Sequence, residues 1–205
     1  MIRRIAVALL LLAAAGCTGS LLESHTEPPK VYRLTAAPAA GEGRALEAAL
    51  SVARPRAGAT LDTDRIAVAH PGDAFDYVAG VRWAEPAPQM LQQVLVEAFA
   101  ADGGFAATVA APSRVPAEYM LDVELRKFTV VYPAAGSVPE VRVQWQATVV
   151  ESRHGGRMAS FLVDRVVAVS ANRREAVIAA FQQATSEAVA ETVTKARAAG
   201  AAGTR

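Results

Sequence analysis

The chain has 205 residues, with 21 lysines and arginines against 20 aspartates and glutamates, and a single cysteine. A net charge of +1 supplies no basic field to gather nucleic acid or an anionic membrane surface, and one cysteine excludes any intramolecular disulfide. Stability must therefore come from a hydrophobic core, which a chain of this length can bury.

Met1-Ile2-Arg3-Arg4 leads into an apolar run from Ile5 to Ala15. Arginines, a short apolar stretch and small residues are the layout of a secretory signal. The run is far shorter than the roughly 20 residues that cross a bilayer as a helix. Cleavage after Ala13-Ala14-Ala15 would release a soluble protein with a free thiol. Cleavage between Gly16 and Cys17 resembles a bacterial lipobox: Ala15 and Gly16 fit, while Ala14 stands where leucine is usual. A lone thiol in an oxidising compartment is a liability, whereas a thioether anchor is not, so the lipobox is the favoured reading. Cys17 would then carry diacylglycerol and an N-acyl lipid. By analogy with enterobacterial sorting, Thr18 in place of aspartate points to the outer membrane. Removing residues 1–16 takes the basic count from 21 to 19 against 20 acids, for a mature charge near −1.

Residues 17–29 are rich in Ser, Thr, Glu and Pro and read as a tether. Residues 30–198 form one domain without internal repeats, and "AGAAGTR" at 199–205 reads as a frayed tail. Val31–Leu34 is a short strand, and Leu46–Arg54 alternates as another, although its alanines leave a helix open. "RPRAGATLDTD" is a turn-rich connection. Arg65–Ala69 is extended and ends at "HPGD"; Phe75–Tyr77 and Val81–Ala84 are short extended pieces.

The period then changes. Met90, Leu91, Val94, Leu95, Ala98 and Phe99 make one helical stripe, with Pro86 and Pro88 at its start and Asp102-Gly103-Gly104 as a left-handed cap. Phe105–Val109 is a strand. Tyr119, Leu121, Val123 and Leu125 alternate inward, and after Lys127 the phase slips to Phe128, Val130 and Tyr132. That slip predicts a bulge near Arg126–Lys127. Val141 to Val149, with Trp145 inward, is the cleanest strand. "SRHGGR" turns the chain, and Phe161, Val163, Val167 and Val169 return antiparallel with Arg165 interrupting. Asn172–Glu175 fits a capping box before a last helix with a small-residue stripe from Ala176 to Val193. Strand runs with two separated helices predict a single α+β domain: a largely antiparallel sheet with both helices on one face.

The histidines are scattered: His25 in the tether, His70 before a turn, His154 in a hairpin turn. Each reads as a solvated turn residue, and no paired-histidine metal spacing occurs. There is no nucleophile elbow and no phosphate-cradling loop. Asp62-Thr63-Asp64 offers too few carboxylates for calcium, and reads as a capped turn. No catalytic residue, metal or cofactor is assigned, and the chain reads as a non-enzyme.

The order of pieces is more telling than any one of them. Behind the lipobox come "YRL" at Tyr32–Leu34, "LDTDRIAV" at Leu61–Val68, "VRWAEPAPQML" at Val81–Leu91, "DGGFAATVA", and "YMLDVEL". This series resembles the ABC-type transport auxiliary lipoproteins, the PqiC-like family. The resemblance implies an accessory lipoprotein of an MCE-type system, in which an inner-membrane ABC permease and ATPase and a periplasmic MCE-domain protein move lipids or other apolar molecules between membranes. It implies docking of the MCE protein at the outer membrane, facing the periplasm, and allows a homo-oligomer. Phe75, Tyr77 and Trp83 are the candidate partner contacts, since aromatic residues anchor interfaces. Trp83, just before a core helix, equally fills the core. An envelope-assembly lipoprotein without a transporter, and a lipid-anchored hydrolase, are the competing readings.

Overall fold

A computed structural model describes residues 28–35, 45–72, 74–134, 137–152 and 156–203. Cys17, His25 and His154 lie outside them, as do the signal and most of the tether. The elements are β1 (Lys30–Tyr32), β2 (Leu46–Val52), β3 (Arg56–Ala57), β4 (Ala67–Ala69), β5 (Phe75–Tyr77), β6 (Val81–Trp83), α1 (Ala87–Asp102), β7 (Phe105–Ala110), β8 (Tyr119–Val131), β9 (Glu140–Glu151), β10 (Arg157–Ala168) and α2 (Arg174–Gly203).

The expected α+β architecture is present. β8, β9 and β10 pair antiparallel along almost their whole lengths and form the centre of the sheet. Their alternation is the reason: Val141, Val143, Trp145, Ala147 and Val149 of β9 are all buried on one face, with polar residues between them. The bulge falls where the phase slips. Leu125 lies opposite Trp145, but Lys127 lies opposite Gln144, so one extra residue of β8 occupies the gap.

The other edge of β8 is covered in turn by three short parallel segments: β2 along residues 119–121, β3 along 124–125 and β4 along 129–131. β7 pairs parallel with β2, giving the order β10-β9-β8-β2-β7. β5 folds back on β4, and β1 and β6 form a separate parallel pair. These parallel pairs, and β3 inside a stretch read as a connection, depend on partners distant in sequence and leave no local pattern.

Both helices cover one face. α1 starts behind Pro86 and ends at Gly103, whose φ of 66° places its N–H on the Phe99 carbonyl at 3.3 Å. Its buried Gln92 donates to the carbonyls of Val52 (2.9 Å) and Ala111 (2.8 Å), fastening the helix to β2 and to the end of β7. The α2 stripe of Ala176, Ala180, Ala184 and Ala188 is buried and lets the helix lie close to the strands. Arg165, the interruption in β10, reaches up to Glu191 of α2 at 2.5 Å.

Two expectations about α2 need correction. Asn172 is not its capping residue: helical structure begins at Arg174, and the Asn172 side-chain Oδ1 instead accepts from the Tyr132 hydroxyl at 3.2 Å. Glu175 does act at this end, because its own backbone N–H holds its carboxyl below the usual range. Nor does the helix stop at residue 198. α2 runs to Gly203, and Gly200 is buried so close to Leu46 that a Cβ would stand 2.7 Å from Leu46 Cδ1.

Two buried threonines on α2 make a contrasting pair. The Thr192 hydroxyl accepts from Trp145 Nε1 at 3.0 Å and donates to the Ala188 carbonyl at 2.8 Å. Thr185, equally buried, finds no partner for its hydroxyl among the described residues. Thr192→Val is expected to cost about 1–3 kcal/mol, because it strands a buried indole N–H. Thr185→Val is expected to be neutral or stabilising, because it removes an unpaired polar atom. Denaturant titration of the two variants checks the difference.

Candidate docking face

Helices on one side leave the opposite face of β8, β9 and β10 uncovered. Its outward positions are mostly polar and hydrogen-bond to one another. Arg142 grips Asp164 through two bonds of 3.1 and 2.6 Å, and Gln144 donates to the same carboxylate at 2.7 Å. Gln146 donates to Ser160 at 2.9 Å. Arg56 pairs with Asp122 at 2.9 Å. Along β10, which ends the sheet, Leu162 and Val166 are about half exposed, at 45% and 51%.

The Arg142 guanidinium holds the Asp164 carboxyl below its usual range. A lowered native value favours the fold above the unfolded carboxyl pKa of about 3.9. That contribution is lost as pH falls through the lower native value. Asp164→Asn should therefore lower Tm at pH 7 and leave it almost unchanged near pH 2, a difference measured by calorimetry across that range. The pair is partly exposed, so the effect should be about 1 kcal/mol or less.

The β4–β5 hairpin extends the sheet beside residues 129–131 of β8, and His70 after β4 lines two grooves. The first, of about 420 Å³, is lined by Leu61, Phe75, Leu125, Arg126 and Lys127 among others. The second, of about 490 Å³, is lined by Val68, Tyr77, Val78 and Tyr132 among others. The His70 ring stacks on Tyr132, with centroids 5.8 Å apart and planes 7° from parallel.

The three aromatic candidates separate here. Phe75 is 53% exposed at the rim of the first groove. Tyr77 is half-buried in the second, with the Arg65 guanidinium 3.6 Å above its ring centre. Trp83 is 1% exposed and packs against Phe128 and Phe181, so it belongs to the core and not to a docking surface. The alternation of β6 explains this: Val81 and Trp83 face in, and Arg82 faces out. His70, Lys127 and Tyr132 were not singled out as site residues from the sequence. The phase slip at Arg126–Lys127 was the one signal of this place, and it carried no information about the hairpin that completes the groove.

Among the described residues no cluster of three or more His, Cys, Asp or Glu is placed to hold a metal ion. No described helix is long and apolar enough to cross a membrane.

A family model described as the ABC-type transport auxiliary lipoprotein component matches residues 32–193. Among solved structures, the protein XCC0632 from Xanthomonas campestris is similar with a TM-score of 0.74 and 29% identity, covering 86% of this chain and 97% of its own. The hypothetical protein CT253 from Chlamydia trachomatis is similar in fold, with a TM-score of 0.54 and 8% identity over 77% of this chain and 99% of its own. No curated protein matches the chain. The family match begins in β1 and ends in the later part of α2, spanning the sheet, both helices and the uncovered sheet face; the chain therefore belongs to the ABC-type transport auxiliary lipoprotein family, as an auxiliary component whose partners are subunits of an ABC-type transport system.

Proposed function

We propose that the protein is a non-catalytic, lipid-anchored periplasmic subunit of an MCE/ABC-type system for lipids or other apolar molecules. Its folded domain docks the periplasmic MCE-domain protein at the outer membrane. The observation that carries this reading is the family match across residues 32–193, directly behind a lipobox-like Cys17. Residues 17–29 supply the span between anchor and domain: 13 extended residues reach at most about 45 Å. The exposed Phe75 and the half-buried Tyr77 offer the aromatic contact to the partner. The open edge of β10, with its exposed Leu162 and Val166, suits strand addition by the partner or by a second copy.

The anchor is tested by intact-mass measurement and density-gradient fractionation of membranes. The native chain should carry a diacylglycerol-type mass with N-acylation on Cys17 and sediment with outer-membrane fractions. Cys17→Ala should lose the mass and leave the membrane. An unlipidated native chain, or a lipidated one confined to the inner membrane, would contradict the anchor or its location respectively.

A further inference from the structure

We propose that the groove beside the β8 bulge binds an amphiphile with one anionic headgroup and one acyl chain. The inference stands on the groove itself and holds whether or not the transporter reading does.

The bulge creates the binding wall. In a regular strand consecutive side chains point to opposite faces, and residues two apart share a face. Without the extra residue, Lys127 would take the inward phase of Leu125. Because the register shifts between Leu125 and Lys127, Lys127 is turned outward, opposite Gln144. Arg126 and Lys127 are thus both exposed and both line the same groove. Bulges beside functional sites re-aim side chains in this way.

Three cations, Arg126, Lys127 and Arg142, line the groove, and the carboxylates near them compensate part of that charge. Glu124 is 3.4 Å from Arg126, Asp122 is taken by Arg56, and Asp164 is held by Arg142. Lys127 makes no direct ion pair among the described residues, although its charge reaches the Asp164 carboxylate that Arg142 holds, and His70 and Arg142 line the same groove. The same lining has apolar members: Leu61 and Leu125 are buried, Val131 adds to them, and Phe75 stands half exposed, while Thr60 and Thr129 are polar. A volume of about 420 Å³ lies near the lower end of the roughly 300–1,000 Å³ found for small-molecule sites. Positive charge selects an anion, the apolar floor selects a hydrocarbon, and the modest size selects a single chain. The headgroup would lie on Lys127 and Arg126, and the chain would run along the groove beside the β4–β5 hairpin against Phe75.

The test uses the full chain, extracted from membranes and held in amphipol, with a fluorescent single-chain fatty acid as probe. Oleate supplies a carboxylate and lysophosphatidylglycerol a phosphate. Both should displace the probe. Lysophosphatidylcholine and monoolein, of similar chain but no net charge, should be about tenfold weaker, and inorganic phosphate alone should not compete. Lys127→Glu should weaken oleate about tenfold or more, with unchanged Tm. Phe75→Ser should weaken charged and neutral amphiphiles alike. Equal competition by the uncharged amphiphiles would reduce the groove to an apolar patch and overturn the proposal. Competition by inorganic phosphate as strong as by the lysolipid would make it a bare anion site. Unchanged binding in both Lys127→Glu and Phe75→Ser would place the amphiphile elsewhere.

Discussion

Trp83→Ala is expected to lower the stability of the fold by about 3–5 kcal/mol, the range for emptying a large buried aromatic site. Trp83 is 1% exposed and meets Phe181 edge-on, with ring centres 5.2 Å apart, and Phe128 at 5.7 Å. Phe128 and Phe181 touch each other at 4.8 Å. The three rings join β6, β8 and α2, so their loss loosens the short parallel pair, the central sheet and the last helix together. For a domain of this size each kcal/mol is worth about 2–4 °C, so Tm should fall by roughly 10 °C. Trp83→Phe should cost much less. The indole N–H has no partner among the described residues, and losing it offsets part of the lost contact. Phe75→Ala, half exposed on the surface, should move Tm by little. A calorimetric series of the three variants checks the order; a Phe75→Ala cost as large as that of Trp83→Ala would contradict these assignments.

Ala188→Phe should be nearly as damaging for the opposite reason. Ala188 is fully buried in the stripe by which α2 lies on the sheet, one turn before the Thr192 hydroxyl that receives the Trp145 indole. A ring there must push the helix off β9 and β10, at a cost of about 3 kcal/mol or more. It would also pull Thr192 away from Trp145. The readout is denaturant titration with tryptophan fluorescence. A fully native midpoint would mean that α2 packs less closely than its alanines imply.

These sites differ in how visible they are in the sequence. The α1 stripe from Met90 to Phe99, the alternation of β9 and the bulge at Arg126–Lys127 are legible because each is a local periodicity, or its interruption. Gly103 is legible because only a left-handed residue ends a helix that way. What was hidden is non-local. Nothing in Leu46–Val52 states that it pairs with both β7 and β8, or that Arg56–Ala57 adds to β8 farther along. The end of α2 was hidden because "AGAAGTR" reads as a tail until Leu46 and Phe105 are seen to close over Gly200. The aromatic candidates divided for a related reason: Trp83 and Phe75 both sit on short strands, and Trp83 is buried by Phe128 of β8 and Phe181 of α2, both distant in sequence. The groove was least legible of all, since its walls come from β8 and from a hairpin some fifty residues earlier.

The family membership makes the protein an auxiliary part of an ABC-type transport system; that the uncovered sheet face meets the rest of that system is our proposal. Capture of the native chain from detergent-solubilised membranes, with the co-purifying chains identified by mass spectrometry, tests this most directly. The account predicts an MCE-domain protein together with the permease and ATPase, retained when Phe75 is native and reduced by Phe75→Ser. Recovery of only outer-membrane or cell-wall components, with no transporter subunit, would contradict it and favour an envelope-assembly role.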